Sequence, residues 1–80
     1  MNNHTLQYTI IIQADEEGGY VAFAPSLPGC ITQGETLEEA RENIKDAIEG
    51  YLSVLKEDGE NIPVEHKSPI TAMVSVPMPV

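Results

Sequence analysis

Residues 18–30 have the sequence Gly-Gly-Tyr-Val-Ala-Phe-Ala-Pro-Ser-Leu-Pro-Gly-Cys, and this pattern sets the first half of the fold. The two glycines can take the positive φ angles that a hairpin turn requires. Residues 20–24 are aromatic, β-branched or small and predict a strand, which ends at Pro25 because proline cannot donate to a sheet. Residues 26–29 then predict a tight corner.

The residues before this stretch predict the partner strand of a hairpin. Between residues 6 and 14, apolar side chains fall on the even positions, with the period of two typical of a half-buried strand. A turn at 15–19 places Ala14 opposite Tyr20. One sheet face then remains uncovered, and it carries Ile11, Val21 and Phe23, joined by Met73. An open apolar sheet face usually has something bound to it, although a loop of the same chain is the alternative.

The residues after residue 30 predict a short strand, a long helix and a final strand. Residues 30–33 are the third strand, and Thr36 opens the helix with the spacing of a capping box that ends at Glu39. Apolar residues recur every three or four positions from Leu37 to Leu55, and Gly59 stands at the C-cap position. Residues 70–76 alternate again and predict a fourth strand.

The predicted fold is therefore a single α+β domain over residues 1–80. Its element order is β-β-β-α-β, a small antiparallel sheet with one helix on one face. A chain of this size buries only about 60% of its unfolded surface, so it has no room for a deep cleft between two layers.

The charge balance argues against nucleic acid as a direct ligand. The sequence has thirteen acidic and four basic residues, for a net charge of -9. Phosphate binding needs clustered lysine and arginine, whereas the basic residues here are only Arg41, Lys45, Lys56 and Lys67. An acidic surface suits a basic protein partner, although a solvated surface without a partner is the simpler alternative.

The sequence predicts a soluble cytoplasmic protein. Its single cysteine allows no internal disulfide, which fits a reducing compartment. The N-terminus lacks the pattern of a secretion signal, and the longest apolar run, residues 10–12, is too short to span a membrane.

No pattern in the sequence predicts catalysis, a metal or a cofactor. Cys30 lies in a predicted strand, and the two histidines, His4 and His66, lie in a terminus and a loop. No cysteine and histidine spacing matches a zinc site, no acidic run matches a calcium loop, and no glycine-rich loop precedes a helix. We therefore predict that the protein is not an enzyme.

Two glycine-bounded blocks resemble the HicB-like antitoxin family over most of the chain. The first is residues 18–30, and the second is Gly34-Glu35-Thr36-Leu37-Glu38-Glu39-Ala40, followed by residues 43–48 and by Ile62-Pro63. The resemblance implies a degraded ribonuclease H-like fold without its acidic metal centre. It also implies self-association and a partner, a small basic HicA-type toxin that cleaves messenger RNA and is neutralised when its RNA-binding surface is covered.

One departure from the family concerns DNA binding. Many HicB proteins carry a C-terminal ribbon-helix-helix or helix-turn-helix segment, whereas this sequence ends just after the predicted fourth strand. We therefore expect a stand-alone HicB-like protein in which transcriptional autorepression is in doubt.

The candidate partner-binding residues lie on the polar side of the helix. They are acidic and predicted to be exposed: Glu38, Glu42, Asp46 and Glu49, with residues 15–17 as an alternative patch. The candidate self-association face is Ile11, Val21, Phe23 and Met73. Three functions remain open: an antitoxin, a self-associating adaptor without a toxin, and a residual metal-dependent nuclease, for which the sequence offers no clustered carboxylates in a pocket.

Overall fold

The first half of the chain is an antiparallel hairpin. The structure, a computed structural model, describes residues 5–79. Strand β1 (Ile11–Ala14) pairs with strand β2 (Tyr20–Phe23), and Ala14 lies opposite Tyr20 as predicted. The turn places Gly18 and Gly19 at φ angles of 106° and 76°. β1 begins later than predicted, at Ile11, because its partner strand stops before Pro25.

A tight corner joins β2 to the third strand. Leu27 donates its N–H to the carbonyl of Ala24 at 3.0 Å, and the Leu27 side chain is fully buried. Strand β3 (Ile31–Gly34) then pairs antiparallel with β2, which gives the sheet order β1-β2-β3. The corner thus returns the chain to the sheet and places Leu27 in the core.

Among the described residues there is one helix, α1 (Leu37–Glu57), which begins after the predicted N-cap residue Thr36 and has Asp58, one residue before the predicted Gly59, as its C-cap. The Thr36 hydroxyl accepts a hydrogen bond from the Glu39 N–H at 3.0 Å, and the Glu39 carboxylate accepts one from the Glu35 N–H at 2.8 Å. At the other end, Gly59 has a φ of 71° and follows the C-cap residue Asp58. The N–H groups of residues 59 and 60 bond back to the last turn, which is the Schellman arrangement.

The core lies between one face of the sheet and the helix. Its buried residues are mostly small: Ala22, Ala24, Leu27, Cys30, Ala40 and Ile44. Small side chains bring the two layers close together. A Cβ added to Gly34 would lie 2.5 Å from the backbone nitrogen of Ala40, whereas one added to Gly50 would meet nothing within 4 Å. Gly34 is therefore the glycine that close packing of the sheet and the helix requires.

The predicted fourth strand is wrong for the single chain. Residues 66–79, here named the C-terminal tail, contain no strand. Ile70 is 93% exposed and Met73 is 98% exposed. Alternation along residues 70–76 does not identify a neighbouring strand, and none of residues 5–65 pairs with this segment. The described architecture is therefore three strands followed by one helix.

Candidate partner-binding surface

The four predicted contact residues form one acidic stripe along α1. Glu38, Glu42, Asp46 and Glu49 follow one another at intervals of four, four and three residues, and all four are exposed. These intervals keep side chains on the same face of a helix. At 1.5 Å per residue the stripe is about 16 Å long. It is long enough to contact one side of a small protein domain.

The alternative acidic patch, residues 15–17, lies at the same end of the molecule as the start of this stripe. Tyr20 pairs with Gly34, so the hairpin turn stands next to the junction of β3 and α1. A Cβ added to Gly19 would lie only 2.8 Å from the carbonyl oxygen of Gly34. The fold thus brings together two patches that the sequence separates by about twenty residues, and their negative potentials add.

Some of the carboxylates at this end hold the backbone. The Asp15 carboxylate accepts a hydrogen bond from the Glu17 N–H at 3.1 Å, and Glu39 is held by the N–H of Glu35. Glu39 therefore belongs to the helix cap, while its neighbour Glu38 makes no such bond. The residues available to a partner are Glu16, Glu17 and the stripe.

The opposite face of the sheet carries a short apolar row. Register places Ile11 beside Phe23 and Phe23 beside Ile31, one residue from each strand. Ile11, Phe23 and the neighbouring Val21 are half-buried, and Ile31 is 60% exposed. Met73, predicted to join this row, instead lies in the C-terminal tail.

An anchoring residue that the sequence did not reveal is Glu65. Its carboxylate accepts hydrogen bonds from the N–H of Thr9 at 3.0 Å and from the hydroxyls of Thr9 and Ser26 at 2.5 and 2.8 Å. These bonds lower the pKa of the Glu65 carboxyl. Tyr8 donates to the carbonyl of Pro63, and burial together with the Glu65 charge raises the tyrosine pKa. The chain after the helix is thereby fixed to the start of the hairpin.

The groups considered for catalysis are not brought together. Cys30 is buried in the core, and burial raises the pKa of its thiol. His66 is exposed in a loop, and His4 lies outside the described residues. Among residues 5–79, no group of three or more histidine, cysteine, aspartate or glutamate side chains is arranged to hold a metal ion.

Comparison with known proteins identifies the family. The model of the HicB-like antitoxins of bacterial toxin–antitoxin systems matches residues 8–78. The chain belongs to the HicB-like antitoxin family. Members of this family are antitoxins and not enzymes, so the chain is non-catalytic.

Individual relatives agree with this assignment. A UPF0150 protein of Thermoplasma acidophilum is 50% identical over 66 residues, 82% of this chain and 96% of its own. A UPF0150 protein of Archaeoglobus fulgidus is 52% identical over 62 residues, 75% of this chain and 90% of its own. Antitoxin HicB 1 of Photorhabdus laumondii is 39% identical over 59 residues, 74% of this chain but only 38% of that antitoxin.

The HicB-like chain has no candidate membrane span within residues 5–79. Its one helix there, α1, is too polar to cross a bilayer. The surfaces that remain for a partner are the acidic stripe with the hairpin turn, and the apolar row on the sheet.

Proposed function

We propose that this chain is the antitoxin of a toxin–antitoxin pair and acts in the cytoplasm. It binds a small basic HicA-type ribonuclease and covers the surface that messenger RNA would occupy. The proposal rests on family membership together with the position of the acidic stripe, whose start lies beside the acidic hairpin turn at residues 15–17.

The charge of the chain supports this choice of partner. A ribonuclease surface that holds RNA must present lysine and arginine to phosphates. The acidic stripe presents carboxylates at regular spacing on a rigid helix, so it can occupy the same cationic groups without being cleaved. Complementary charge also accelerates encounter between the two proteins, and the rate then falls as salt is added.

The proposed role also requires no catalytic groups. An antitoxin of this kind acts by steric occlusion, for which it needs an exposed, rigid and complementary surface. The half-buried apolar residues of α1 are held against the sheet. The acidic stripe therefore keeps its orientation when a partner approaches.

The test is a charge reversal on the stripe with a matched control. In Glu42→Arg/Asp46→Arg, two central carboxylates are replaced away from the helix ends, where a change of charge would also alter the helix dipole. The control Glu57→Arg/Glu60→Arg makes the same charge change in the last turn of α1 and just beyond it, where positive charge is favourable to the helix dipole and does not weaken the helix. Binding to the product of the adjacent small open reading frame is measured by titration calorimetry, and RNA cleavage by that product is followed in parallel.

We expect the stripe variant to lose at least about a hundredfold in affinity, since several charge pairs change from attraction to repulsion. The control variant should bind within a few-fold of the parent chain. Equal losses in both variants would show a general charge effect and no defined surface. If the parent chain neither binds nor inhibits the adjacent gene product, the proposal fails.

The second candidate is a self-associating adaptor without a toxin. The aligned row Ile11, Phe23 and Ile31 favours it, because exposed apolar rows on a sheet are common contact surfaces. A dimer formed through this face should be lost in Phe23→Asp or Ile11→Asp, as measured by sedimentation velocity. A parent chain that stays monomeric at high concentration would remove this candidate.

A further inference from the structure

We propose that a hollow between β3 and the second half of α1 binds an extended segment of a basic partner protein. This hollow, here named the Gly50 hollow, is lined by residues 29–31 of the sheet and by Ala47, Gly50, Tyr51 and Val54 of the helix. The segment carries an aliphatic side chain and, four residues along, a lysine or arginine. The site does not include the acidic stripe, and the proposal does not depend on a toxin.

Gly50 is a residue that the fold of the single chain does not explain. Glycine in the interior of a helix is unfavourable relative to alanine, because its backbone loses more conformational freedom on folding. A Cβ added to Gly50 would meet nothing within 4 Å, so packing against the sheet does not require the glycine. The missing Cβ instead leaves the helix backbone open to close approach from outside. Glycine at this position therefore fits an occupant that the chain does not itself supply.

The Gly50 hollow has the size and the apolar wall of a binding site. Its volume is about 520 Å³, within the roughly 300–1,000 Å³ typical of ligand pockets. Cys30 is buried and forms part of the lining, and Val54 is 55% exposed at its side. Tyr51 is half-buried, and its hydroxyl donates to the carbonyl of Pro28 at 3.0 Å, which fixes the position of its ring. This wall is therefore formed before a partner arrives.

The free edge of β3 adds backbone groups to the site. The Ala24 N–H donates to the carbonyl of Cys30, and bonded pairs alternate along an antiparallel ladder. Cys30 therefore faces β2, while Ile31 turns its N–H and carbonyl groups to the outer edge. The next outward carbonyl, that of Gln33, already accepts a hydrogen bond from the Asn43 side-chain amide at 2.9 Å. An extended segment can thus pair with the backbone at Ile31 and continue from there toward the end of α1.

Charge favours a cationic partner at the Gly50 hollow. Asp58 and Glu60 line it just beyond the last turn of α1, and both are exposed. The negative end of the helix dipole lies at the same place and adds to the attraction for a cation. The four lysine and arginine residues all lie in the described part of the chain, and none of them lines this hollow, whereas Arg41 and Lys45 line a separate groove beside residues 5–10. A lysine or arginine of a partner therefore meets no repulsion from the lining.

The distance between the glycine and the carboxylates sets the spacing within the segment. Asp58 follows Gly50 by eight positions, which is about 12 Å along a helix that rises about 1.5 Å per residue. An extended chain covers about 3.3 Å per residue, so about four residues span this distance. Successive side chains of a strand point to opposite sides, and side chains four residues apart therefore point to the same side. An aliphatic side chain over Gly50 and a cation beside Asp58 and Glu60 can thus belong to one extended segment.

A different protein suits this site better than nucleic acid or a second copy of the chain. Phosphates are repelled by an acidic lining. Two copies of the chain each carry a net charge of -9 and also repel one another. Three of the four basic residues lie in α1, and the fourth, Lys67, has Pro63 and Thr71 four positions away on its two sides, neither of which has a large aliphatic side chain. The chain therefore lacks the segment that its own hollow would receive.

The first experiment selects a ligand from random peptides displayed on phage. The immobilised full-length chain is the target, and peptides that also bind the Gly50→Leu variant are removed, because leucine at this position fills the hollow while it suits a helix. We expect the enriched peptides to share an aliphatic residue followed four positions later by lysine or arginine. Enrichment of peptides without this spacing, or no enrichment at all, would overturn the proposal.

The second experiment measures binding of the most enriched peptide, made synthetically, by titration calorimetry. Gly50→Leu should raise the dissociation constant at least about a hundredfold, because the peptide side chain loses its place in the hollow. The control Ser53→Leu adds the same side chain on the exposed side of α1 and should change the constant less than about twofold. Glu60→Gln should raise it about tenfold at low salt, while Glu57→Gln, outside the lining, should not. Circular dichroism checks that each variant keeps its helix.

The third experiment locates the same peptide by NMR on the isotope-labelled chain. We expect the amide signals of residues 29–31 and 47–54 to shift, with those of residues 8–12 unchanged. Shifts confined to the acidic stripe would show that the peptide binds by charge alone and would contradict the proposal. Equal losses of affinity in Gly50→Leu and Ser53→Leu would contradict it as well. If the parent chain self-associates and Gly50→Leu abolishes that association, the occupant is a second copy and the proposal fails.

Discussion

The hairpin and the C-terminal tail have the same alternation of apolar and polar residues, yet only the hairpin lies in a sheet. In the hairpin, Ile12 lies beside Ala22 and both face the helix. In the tail, Ile70 and Val74 are almost fully exposed. The difference shows that alternation alone does not place a segment in a sheet, because a turn or a neighbouring edge must also supply its partner strand. The hairpin contains its own turn and its own partner strand within fifteen residues, whereas the tail contains neither.

The largest expected effect is the contrast between a core residue and a tail residue. Leu27→Ala removes a fully buried side chain and should lower the free energy of unfolding by about 2–5 kcal/mol. Ile70→Ala, at a concentration low enough for monomers, should change it by less than about 0.5 kcal/mol. Urea denaturation measures both. A large loss of stability for Ile70→Ala under these conditions would show that the tail packs against the core of its own chain.

The next effect compares two glycines. Gly34→Ala should destabilise by about 1–3 kcal/mol, since its Cβ would lie 2.5 Å from the Ala40 nitrogen. Gly50→Ala meets open space in the middle of α1 and should stabilise by about 1 kcal/mol. Denaturation of the two variants side by side provides the check. A change in the free energy of unfolding that has the same sign for both variants would contradict the described packing of β3 against the helix.

A smaller effect is expected at the helix N-cap. Thr36→Ala removes the hydroxyl that accepts from Glu39 and should cost about 1 kcal/mol. Thr71→Ala makes the same change in the tail, where no such bond exists among the described residues, and should have almost no effect on the monomer. Thermal unfolding followed by circular dichroism distinguishes the two. An unchanged melting temperature for Thr36→Ala would show that the cap does not stabilise the helix.

The smallest effect is a change in the pH dependence of stability. Hydrogen bonds from Thr9 and Ser26 lower the pKa of Glu65 in the folded chain below its value in the unfolded chain. The unfolded state therefore binds the proton first, so this contribution is present above the unfolded pKa and is lost as the pH falls through the folded pKa. Glu65→Gln should therefore reduce the change in the free energy of unfolding with pH over that acidic interval. Urea midpoints across the interval test this.

Local patterns were sufficient to predict most of the fold. The glycine turn, the proline stop and the capping residue Thr36 act over a few residues, so the hairpin register and the helix limits were predicted closely. The fourth strand was wrong because its pairing depends on a distant edge. Glu65 was missed because it lies in an irregular polar segment, and its partners are 39 and 56 residues away.

The candidate surface was predicted in part for the same reason. Helical spacing correctly placed Glu38, Glu42, Asp46 and Glu49 on one exposed face. Helical spacing could not predict that residues 15–17 would stand beside the start of that face, because their proximity depends on the pairing of Tyr20 with Gly34. Met73 was assigned to the sheet only because a fourth strand was expected.

The most direct test of the account is an NMR titration of the isotope-labelled chain with the HicA-type ribonuclease proposed as its partner, taken from the same genome. We expect the amide signals of residues 38–49 and 15–17 to shift together as RNA cleavage is lost, with the signals of residues 57–60 unchanged. A complex that inhibits the ribonuclease while these acidic residues stay unperturbed, or the absence of any complex, would contradict the account.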